Sequence, residues 1–344
     1  MNLLNKGQMN KKINIGISIG DINGIGPEVI LKTFKDNRML DFCVPIIFGS
    51  SKVISFYKRH FKFKQPNLNV IKNLENINDK QVNIFEIDID NVKINFGKEE
   101  QVSGKHSMKS IEMACNFLKK NKIDALVTAP INKKSIQKNV KEFVGHTEYL
   151  ENNFKGNSLM LMVSDAMKIA FVSGHIPLSS VKEKITKDII LSKFNILHDS
   201  LIKDFNITSP KIAILGLNPH AGEEGMLGNE ELNVIIPAID ELKKMNKLAF
   251  GPYPADSFFN NRNLNAFDGI LSMYHDQGLT PFKTISFYDG VNYTCGLDII
   301  RTSPVHGTAY SISGKDMANE RSFRNAIFLA CEIHKNRKIL NTTN

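Results

Sequence analysis

The chain has 344 residues, 42% of them hydrophobic and 23% charged, with a formal net charge of +9 at pH 7. That is the composition of an ordinary soluble globular protein, long enough for two domains and a large buried core. The lysines are scattered, as in Lys119-Lys120, Lys133-Lys134 and Lys243-Lys244, without a block of five or more like charges. Nucleic-acid binding is therefore not expected, and an anionic small-molecule substrate accounts for the cations.

Four cysteines (Cys43, Cys115, Cys295, Cys331) lie far apart with no CxxC pair, so neither a disulfide framework nor a zinc ribbon is expected and a reducing compartment is the default. Cys115 and Cys331 sit in helical apolar patterns and read as core residues. The first residues carry no apolar signal core and no later segment offers 18 consecutive apolar residues, so no membrane partner and a cytoplasmic location are expected. Residues 1–11 read as a loose leader, with Met9 as an alternative start.

Ile13–Ile19 reads as a buried strand that runs into Gly20-Asp-Ile-Asn-Gly-Ile-Gly-Pro-Glu28, after which Pro27 opens a helix. A dinucleotide fingerprint fails here, because Val29 stands where the third glycine of GxGxxG is required. The loop is still expected near a ligand, since glycines permit close backbone approach. Val44–Phe48 reads as a strand, Ser51–His60 as a helix, 61–80 as a variable connection and Val82–Ile89 as a strand. Lys105–Asn121 has Ile111, Ala114, Cys115 and Leu118 on one helical face, and Ala125–Val127 is a strand ending in polar residues. Open α/β sheets place ligands beyond such strand ends.

Further along, Leu159–Val163 and Lys168–Val172 read as paired strands, the second ending at Gly174-His175. Thr186–Phe205 is a helix, and Lys211–Leu215 a strand leading to Gly216-Leu-Asn-Pro-His220. Asn229–Met245 is a helix, and Gly251–Asp256 a rigid loop. The apolar run Ile270, Leu271, Met273 delivers His275, Asp276 and Gln277, with Gly278 and Pro281 expected to stop regular structure. Residues 302–314 read as a long Gly/Ser/Thr loop and Ala318–His334 as the closing helix. Strands alternate with helices throughout, so the fold class is α/β, and no internal repeat is present.

Three histidines thus follow short apolar strands: His175, His220 and His275. Imidazoles from separate strands are a common way to hold a divalent ion with a position open for substrate. Three unrelated loop histidines are the alternative reading of the same pattern. Asp256 and Asp276 are candidates to orient the rings. Lys283, Asn292 and Arg301 recur at nine-residue intervals and suit a phosphate, Arg as a bidentate fork and Lys as a point charge. His146, in Gly145-His-Thr-Glu148, reads equally as a catalytic group or as a loop histidine.

Gly145-His-Thr-Glu148, Gly174-His-Ile-Pro-Leu178, Gly216-Leu-Asn-Pro-His-Ala-Gly-Glu223, Tyr274-His-Asp-Gln-Gly-Leu279, Gly290-Val-Asn292, Ile300-Arg-Thr302 and His306-Gly-Thr-Ala309 together resemble the motif set of the 4-hydroxythreonine-4-phosphate dehydrogenase family, over roughly residues 13–334. The resemblance implies that His175, His220 and His275 bind one divalent metal (zinc, magnesium or cobalt), and that His146, Thr147, Lys283, Asn292 and Arg301 bind substrate. It implies NAD- or NADP-dependent oxidation of 4-phosphohydroxy-L-threonine at its C3 hydroxyl, with decarboxylation to 3-amino-2-oxopropyl phosphate, a step toward pyridoxal phosphate. It also implies two α/β/α domains around a cleft and a homodimer whose subunits share the metal ligands. The first domain is expected over 1–140 plus 300–344 on the cofactor side, and the second over 141–299 with the metal and substrate ligands.

A more distant likeness is to isocitrate and isopropylmalate dehydrogenases, carried by Val305-His-Gly-Thr-Ala309, Ser313-Gly-Lys315 and Ala318-Asn319. It implies cofactor contacts from His306, Gly307, Thr308, Ala309 and Asn319 on a fold that is not a classical Rossmann domain. Tyr310-Ser311 departs from the Pro-Asp pair of those enzymes. For the base that removes the hydroxyl proton, a lysine, Asp276 through water and His146 all stay open. A dehydrogenase of phosphorylated threonate or erythronate is the nearest alternative. A cyclic-dihydrodiol dehydrogenase, a phosphate-acyltransferase-like enzyme and a non-catalytic basic binding protein are further ones.

Overall fold

Short apolar runs fold here as strands, and the longer segments of 3.6-residue period between them fold as helices. The computed structural model describes residues 12–88 and 92–343. The leader and the Met9 start lie outside the described residues, as does Ile89 at the end of one expected strand. The chain divides into two units: residues up to Val144 with His306–His334, and Gly145–Val305 with the chain from Lys335 on.

Among the described residues of the first unit are strands β1 (Ile13–Ser18), β2 (Cys43–Gly49), β3 (Leu68–Ile71), β4 (Val82–Glu86) and β5 (Ala125–Thr128). They lie in the order β3-β4-β2-β1-β5 and every pairing is parallel. β2 and β5 are buried along their whole length, as parallel strands covered by helices on both faces must be. β3, at the edge, falls inside the stretch expected to be an irregular connection; its mostly half-exposed residues gave no strong apolar signal.

The helix Gln101–Lys119 starts four residues earlier than expected and docks through serines at i, i+4 and i+7. Ser103 donates to the buried Asp21, Ser107 Oγ donates to Gly20 O at 3.0 Å, and Ser110 Oγ donates to Phe48 O at 2.5 Å while accepting from Ile19 N at 2.9 Å. Gly104 permits the approach, since a Cβ there would lie 1.9 Å from Ser135 O.

In the second unit the strands are β6 (Gly156–Val163), β7 (Lys168–Ser173), β8 (Ile212–Leu215), β9 (Ala249–Tyr253), β10 (Gly269–Tyr274), β11 (Val291–Leu297) and β12 (Arg301–Pro304). They run in the order β12-β11-β6-β7-β10-β8-β9. β7, β10, β8 and β9 are parallel neighbours, whereas β12, β11, β6 and β7 pair antiparallel. Phe171, Leu215, Phe258, Ile270 and Phe282 pack the core beneath the parallel half.

Several elements differ from the sequence expectations. Residues 275–285 form a helix with Pro281 inside it, where Gly278 and Pro281 were expected to stop regular structure. The fully buried Phe282 and the tight seat of Gly278, whose Cβ would lie 2.7 Å from Ile169 Cδ1, hold that segment down. β9 lies in the expected rigid loop, and β12 opens the expected 302–314 loop. The closing helix runs Arg321–Thr343, past His334. Its tail, with residues 300–305, belongs to the second unit, whereas 300–344 was expected in the first; Arg337 Nε donates to the buried Asp204 at 2.6 Å. Cys331 is half-buried, while Cys43, Cys115 and Cys295 are buried. Among the described residues no helix is long and apolar enough to cross a membrane.

His106, on the docked helix, is 1% exposed, and its buried Nε2 has no hydrogen-bond partner. Burial, then Lys109 and Lys105, push its pKa down to about 4 from 6.5. A histidine held neutral in the fold contributes stability that is full above pH 6.5 and is lost as pH falls through about 4, because the unfolded chain takes up the proton first. The melting temperature is expected to drop across that window, and His106→Gln is expected to flatten the drop in a pH series of thermal melts.

Candidate active site

The parallel pairing of β7 with β10 sets Ser173 opposite Tyr274, so the next residues leave neighbouring strand ends on the same side of the sheet. Adjacent strands lie about 4.8 Å apart. His175, two residues past β7, and His275, directly after β10, accordingly have ring centroids 5.1 Å apart. Gly174 leaves the space open, since a Cβ there would meet nothing within 4 Å.

His275 opens the helix His275–Ile285 and stacks on Phe171 at 5.7 Å. Its Nδ1 lies 2.6 Å from Asp276 Oδ1. An ionised carboxylate only accepts, so Nδ1 carries the proton and Nε2 presents its lone pair, as metal-ligating histidines usually do. Two imidazole nitrogens are donors of the kind that hold a divalent ion. The Asp276 side chain that bonds this ring is 82% exposed. Asp256 is also exposed, in the helical turn Ala255–Phe258.

His220 follows β8, the other parallel neighbour of β10, so all three histidines leave the same end of the sheet. It stands, however, in a turn where His220, Ala221, Gly222, Glu223 and Glu224 all have positive φ (51, 52, 81, 42 and 51°). Glu231, 2% exposed, braces that turn: Oε1 accepts from Leu217 N at 2.7 Å and Asn218 N at 2.8 Å, and Oε2 from Asn218 Nδ2 at 2.8 Å. The His220 side chain is exposed, and among the described residues no three His, Cys, Asp or Glu side chains of this chain form a group able to hold a metal. One chain brings two of the three imidazoles together and leaves the third outside.

Asn292 and Arg301 sit on the antiparallel half. Tyr293 pairs with Thr302, so Thr294 faces Arg301 and Asn292 faces Ser303, all on one side of the sheet. Arg301 is 3% exposed, and its Nη1 donates to Thr294 Oγ1 at 3.1 Å. Asn292 Oδ1 is buried without a hydrogen-bond partner, an arrangement that costs about 1–3 kcal/mol until a ligand donor fills it. Lys283 is half-buried near the end of the helix His275–Ile285, and His146 and Thr147 open the short helix His146–Glu151.

In the first unit, the glycine loop after β1 approaches protein rather than ligand at Gly24. A Cβ on Gly24 would lie 2.9 Å from Thr308 O, and Ile25 N donates to that oxygen at 3.0 Å. Tyr310 OH donates to Asp21 Oδ2 at 2.8 Å, Ser313 Oγ to Asn23 O at 2.7 Å, and Ala318 N to Glu28 Oε1 at 2.9 Å. Burial raises the pKa of Asp21 against the bonds from Ser103 and Tyr310 that lower it, and burial followed by Asp21 raises that of Tyr310. The stretch His306–Ala309 is thereby fixed, with Ala309 left-handed at φ 44° and Gly307 facing open space where a cofactor can approach. Asn319 Oδ1 accepts from Arg321 N at 2.9 Å, at the head of the closing helix.

Residues 41–330 match the family of the pyridoxal phosphate biosynthetic protein PdxA. The chain belongs to that family. Within reach of this PdxA chain is a 4-hydroxythreonine-4-phosphate dehydrogenase of Bacteroides thetaiotaomicron, 46% identical over 95% of this chain and 90% of that protein. A protein of Oceanobacillus iheyensis provisionally named a D-threonate 4-phosphate dehydrogenase is 35% identical over 94% of this chain and 99% of its own length. The crystal structure of a 4-hydroxythreonine-4-phosphate dehydrogenase from Klebsiella pneumoniae aligns at a TM-score of 0.82 with 27% identity, over 94% of this chain and 100% of that one.

Thr294 and Glu231 were missed by sequence reasoning. Polar Asn292 and Thr294 alternating with apolar Val291, Tyr293 and Cys295 carried the period-two signal that would have found the first; the second had no local signal. Gly24→Ala is expected to destabilise the first unit by roughly 1–3 kcal/mol, because the added methyl must displace the Thr308 backbone, which thermal melts would show.

Proposed function

We propose that this PdxA chain oxidises the C3 hydroxyl of 4-phosphohydroxy-L-threonine with NAD or NADP, the β-keto acid then losing carbon dioxide to give 3-amino-2-oxopropyl phosphate. The observation that carries the reading is the convergence of His175 and His275 at adjacent strand ends, in a sheet whose other half buries Arg301 beside Asn292. Arg301 and Lys283 neutralise the substrate phosphate, with Asn292, His146 and Thr147 fixing the rest of the molecule. Asp276 keeps the proton on His275 Nδ1, so that Nε2 stays a ligand. His175, His275 and His220 would hold a divalent ion (zinc, magnesium or cobalt), which would supply the acidity of the hydroxyl and the polarisation of the carbonyl, and a nicotinamide would supply the hydride acceptor. His306, Gly307, Thr308 and Ala309 are the residues proposed to hold that nucleotide, and the seat beneath them supports the assignment.

The same reading makes the active form a homodimer. Among the described residues no group of three His, Cys, Asp or Glu side chains able to hold a metal includes the pair His175–His275. Leu178 (73% exposed), Met226 (82%) and Leu227 (43%) flank His175 and the His220 turn, and apolar side chains so placed suit coverage by a second copy. A second substrate, D-threonate 4-phosphate, is favoured by the relative named for it; it shares the phosphate and the hydroxyl but not the amine.

Formation of reduced nicotinamide is expected with 4-phosphohydroxy-L-threonine at a kcat/KM above that with D-threonate 4-phosphate, and to vanish in chelator or in His275→Ala; full activity under chelation would sink the scheme. Met226→Asp is expected to shift the protein to a monomer by light scattering and to lower metal affinity by calorimetry, with the melting temperature of the metal-free protein little changed.

A further inference from the structure

The hairpin that carries Asn292 and Arg301 does not fix its own geometry. The β11–β6 register shifts between Cys295 and Leu297, at the left-handed Gly296 (φ 84°), whose Cβ would lie 2.1 Å from Asn157 O. Three residues, 298–300, then connect β11 to β12. Hairpin register is ordinarily set by a tight turn, and a bulge followed by an irregular connection leaves it to outside contacts.

Those contacts come from the far end of the chain. The Arg337 guanidinium donates from Nη1 to Asp298 O at 3.1 Å and Ile299 O at 3.2 Å, and from Nη2 to Leu297 O at 3.4 Å and Tyr293 OH at 3.0 Å. Its Nε donates to Asp204 Oδ1 at 2.6 Å. Asp204, 1% exposed, also accepts from Tyr293 OH at 2.7 Å and Ser200 Oγ at 2.6 Å. One planar fork therefore holds three successive carbonyls of the connection and is itself held by a buried carboxylate. A lysine ammonium cannot span that set of acceptors.

We propose that Arg337 is a positioning residue: by holding the Leu297–Ile299 connection it sets Arg301 against Asn292 and so shapes the grip on the anionic end of the substrate. Tyr293 projects to the opposite face of β11 from Asn292 and Thr294, so the cluster acts from behind the strand without touching the ligand. The inference rests on the reading that Arg301 holds the substrate phosphate, with Asn292 beside it fixing the rest of the molecule.

The test uses the full-length protein and inorganic phosphate as the probe, by isothermal titration, with steady-state kinetics and thermal melts alongside. Arg337→Lys keeps a cation beside Asp204 but releases the carbonyls. It is expected to weaken phosphate binding and raise KM for the phosphorylated substrate about tenfold, with kcat within about twofold of the parent. Ser200→Ala removes one bond to the same carboxylate while leaving the bonds from Arg337 to the connection in place, and is expected to lower the melting temperature without moving phosphate affinity. Asp204→Asn combined with Arg337→Gln carries the same expectation as the lysine variant should that one not fold. Parental phosphate affinity in the Arg337 variants overturns the inference, as does a loss in Ser200→Ala that tracks its loss of melting temperature. Arg301→Gln separates the two layers: if it leaves phosphate affinity unchanged, the phosphate reading itself is wrong and the inference falls with it.

Discussion

The parallel register of β7, β10 and β8 is the constraint on which the second unit's chemistry depends. A parallel neighbour starts and ends on the same side of a sheet, so three apolar runs far apart in the chain deliver their following residues to one edge. Sliding β10 against β7 by one residue would exchange its two faces, putting Ile270 and Ser272 where Leu271 and Met273 now pack. The buried side chains forbid that slip, and the 5.1 Å separation of the His175 and His275 rings follows from the hydrophobic pattern of the strands rather than from attraction between the rings.

The same sheet changes character at β7, which pairs parallel with β10 and antiparallel with β6. On the parallel side the functional groups stand beyond the strand ends; on the antiparallel side they stand on the strands themselves. That difference is chemical as well as geometric. The ring of His275, beyond its strand end, is set by Asp276 and Phe171 rather than by a ladder. A buried guanidinium needs its alignment fixed in advance, which the ladder opposite Thr294 provides. In the first unit the glycines of the Gly20–Glu28 loop serve a packing purpose, seating the backbone of Thr308 so that His306–Ala309 is held without a ligand.

Strands read from short apolar runs, helices read from amphipathic period, and residues following strand ends were legible because each depends on neighbours in sequence. The helix across Pro281 was not, since Phe282 and Gly278 are held by residues of β7 and β10 more than a hundred positions and only a few positions away, respectively, and the local breaker signal loses to that packing. β12 was hidden because Arg301 and Thr302 are polar residues buried by pairing with β11 rather than by their own hydrophobicity. Arg337 sits in Lys335-Asn-Arg-Lys338, indistinguishable in sequence from a solvated helix tail; only the fold brings Asp204 to it. The convergence of His175 and His275 at one sheet edge was legible, and the exposed left-handed setting of His220 was not, because a strand-end pattern says which edge a residue leaves from and nothing of the turn it then enters.

That turn has a cost that demands a reason. Four residues other than glycine, His220, Ala221, Glu223 and Glu224, hold left-handed backbone in succession, at roughly 1–2 kcal/mol each. Glu231 offsets part of it with three hydrogen bonds and with the close seat of Gly222, whose Cβ would lie 2.6 Å from its Oε2. The stretch Glu231–Ile235 that carries this carboxylate is itself a π-turn, a second departure from regular helix next to the first. A relaxed connection from β8 would have served packing at less expense, so the strain is more naturally assigned to the side chain it displays. His220 is exposed, and among the described residues no three His, Cys, Asp or Glu side chains of one chain form a group able to hold a metal. An imidazole fixed outward by a braced, costly turn is what the proposed shared metal site of two copies requires, since a ligand offered across a subunit boundary must be ordered before the partner arrives.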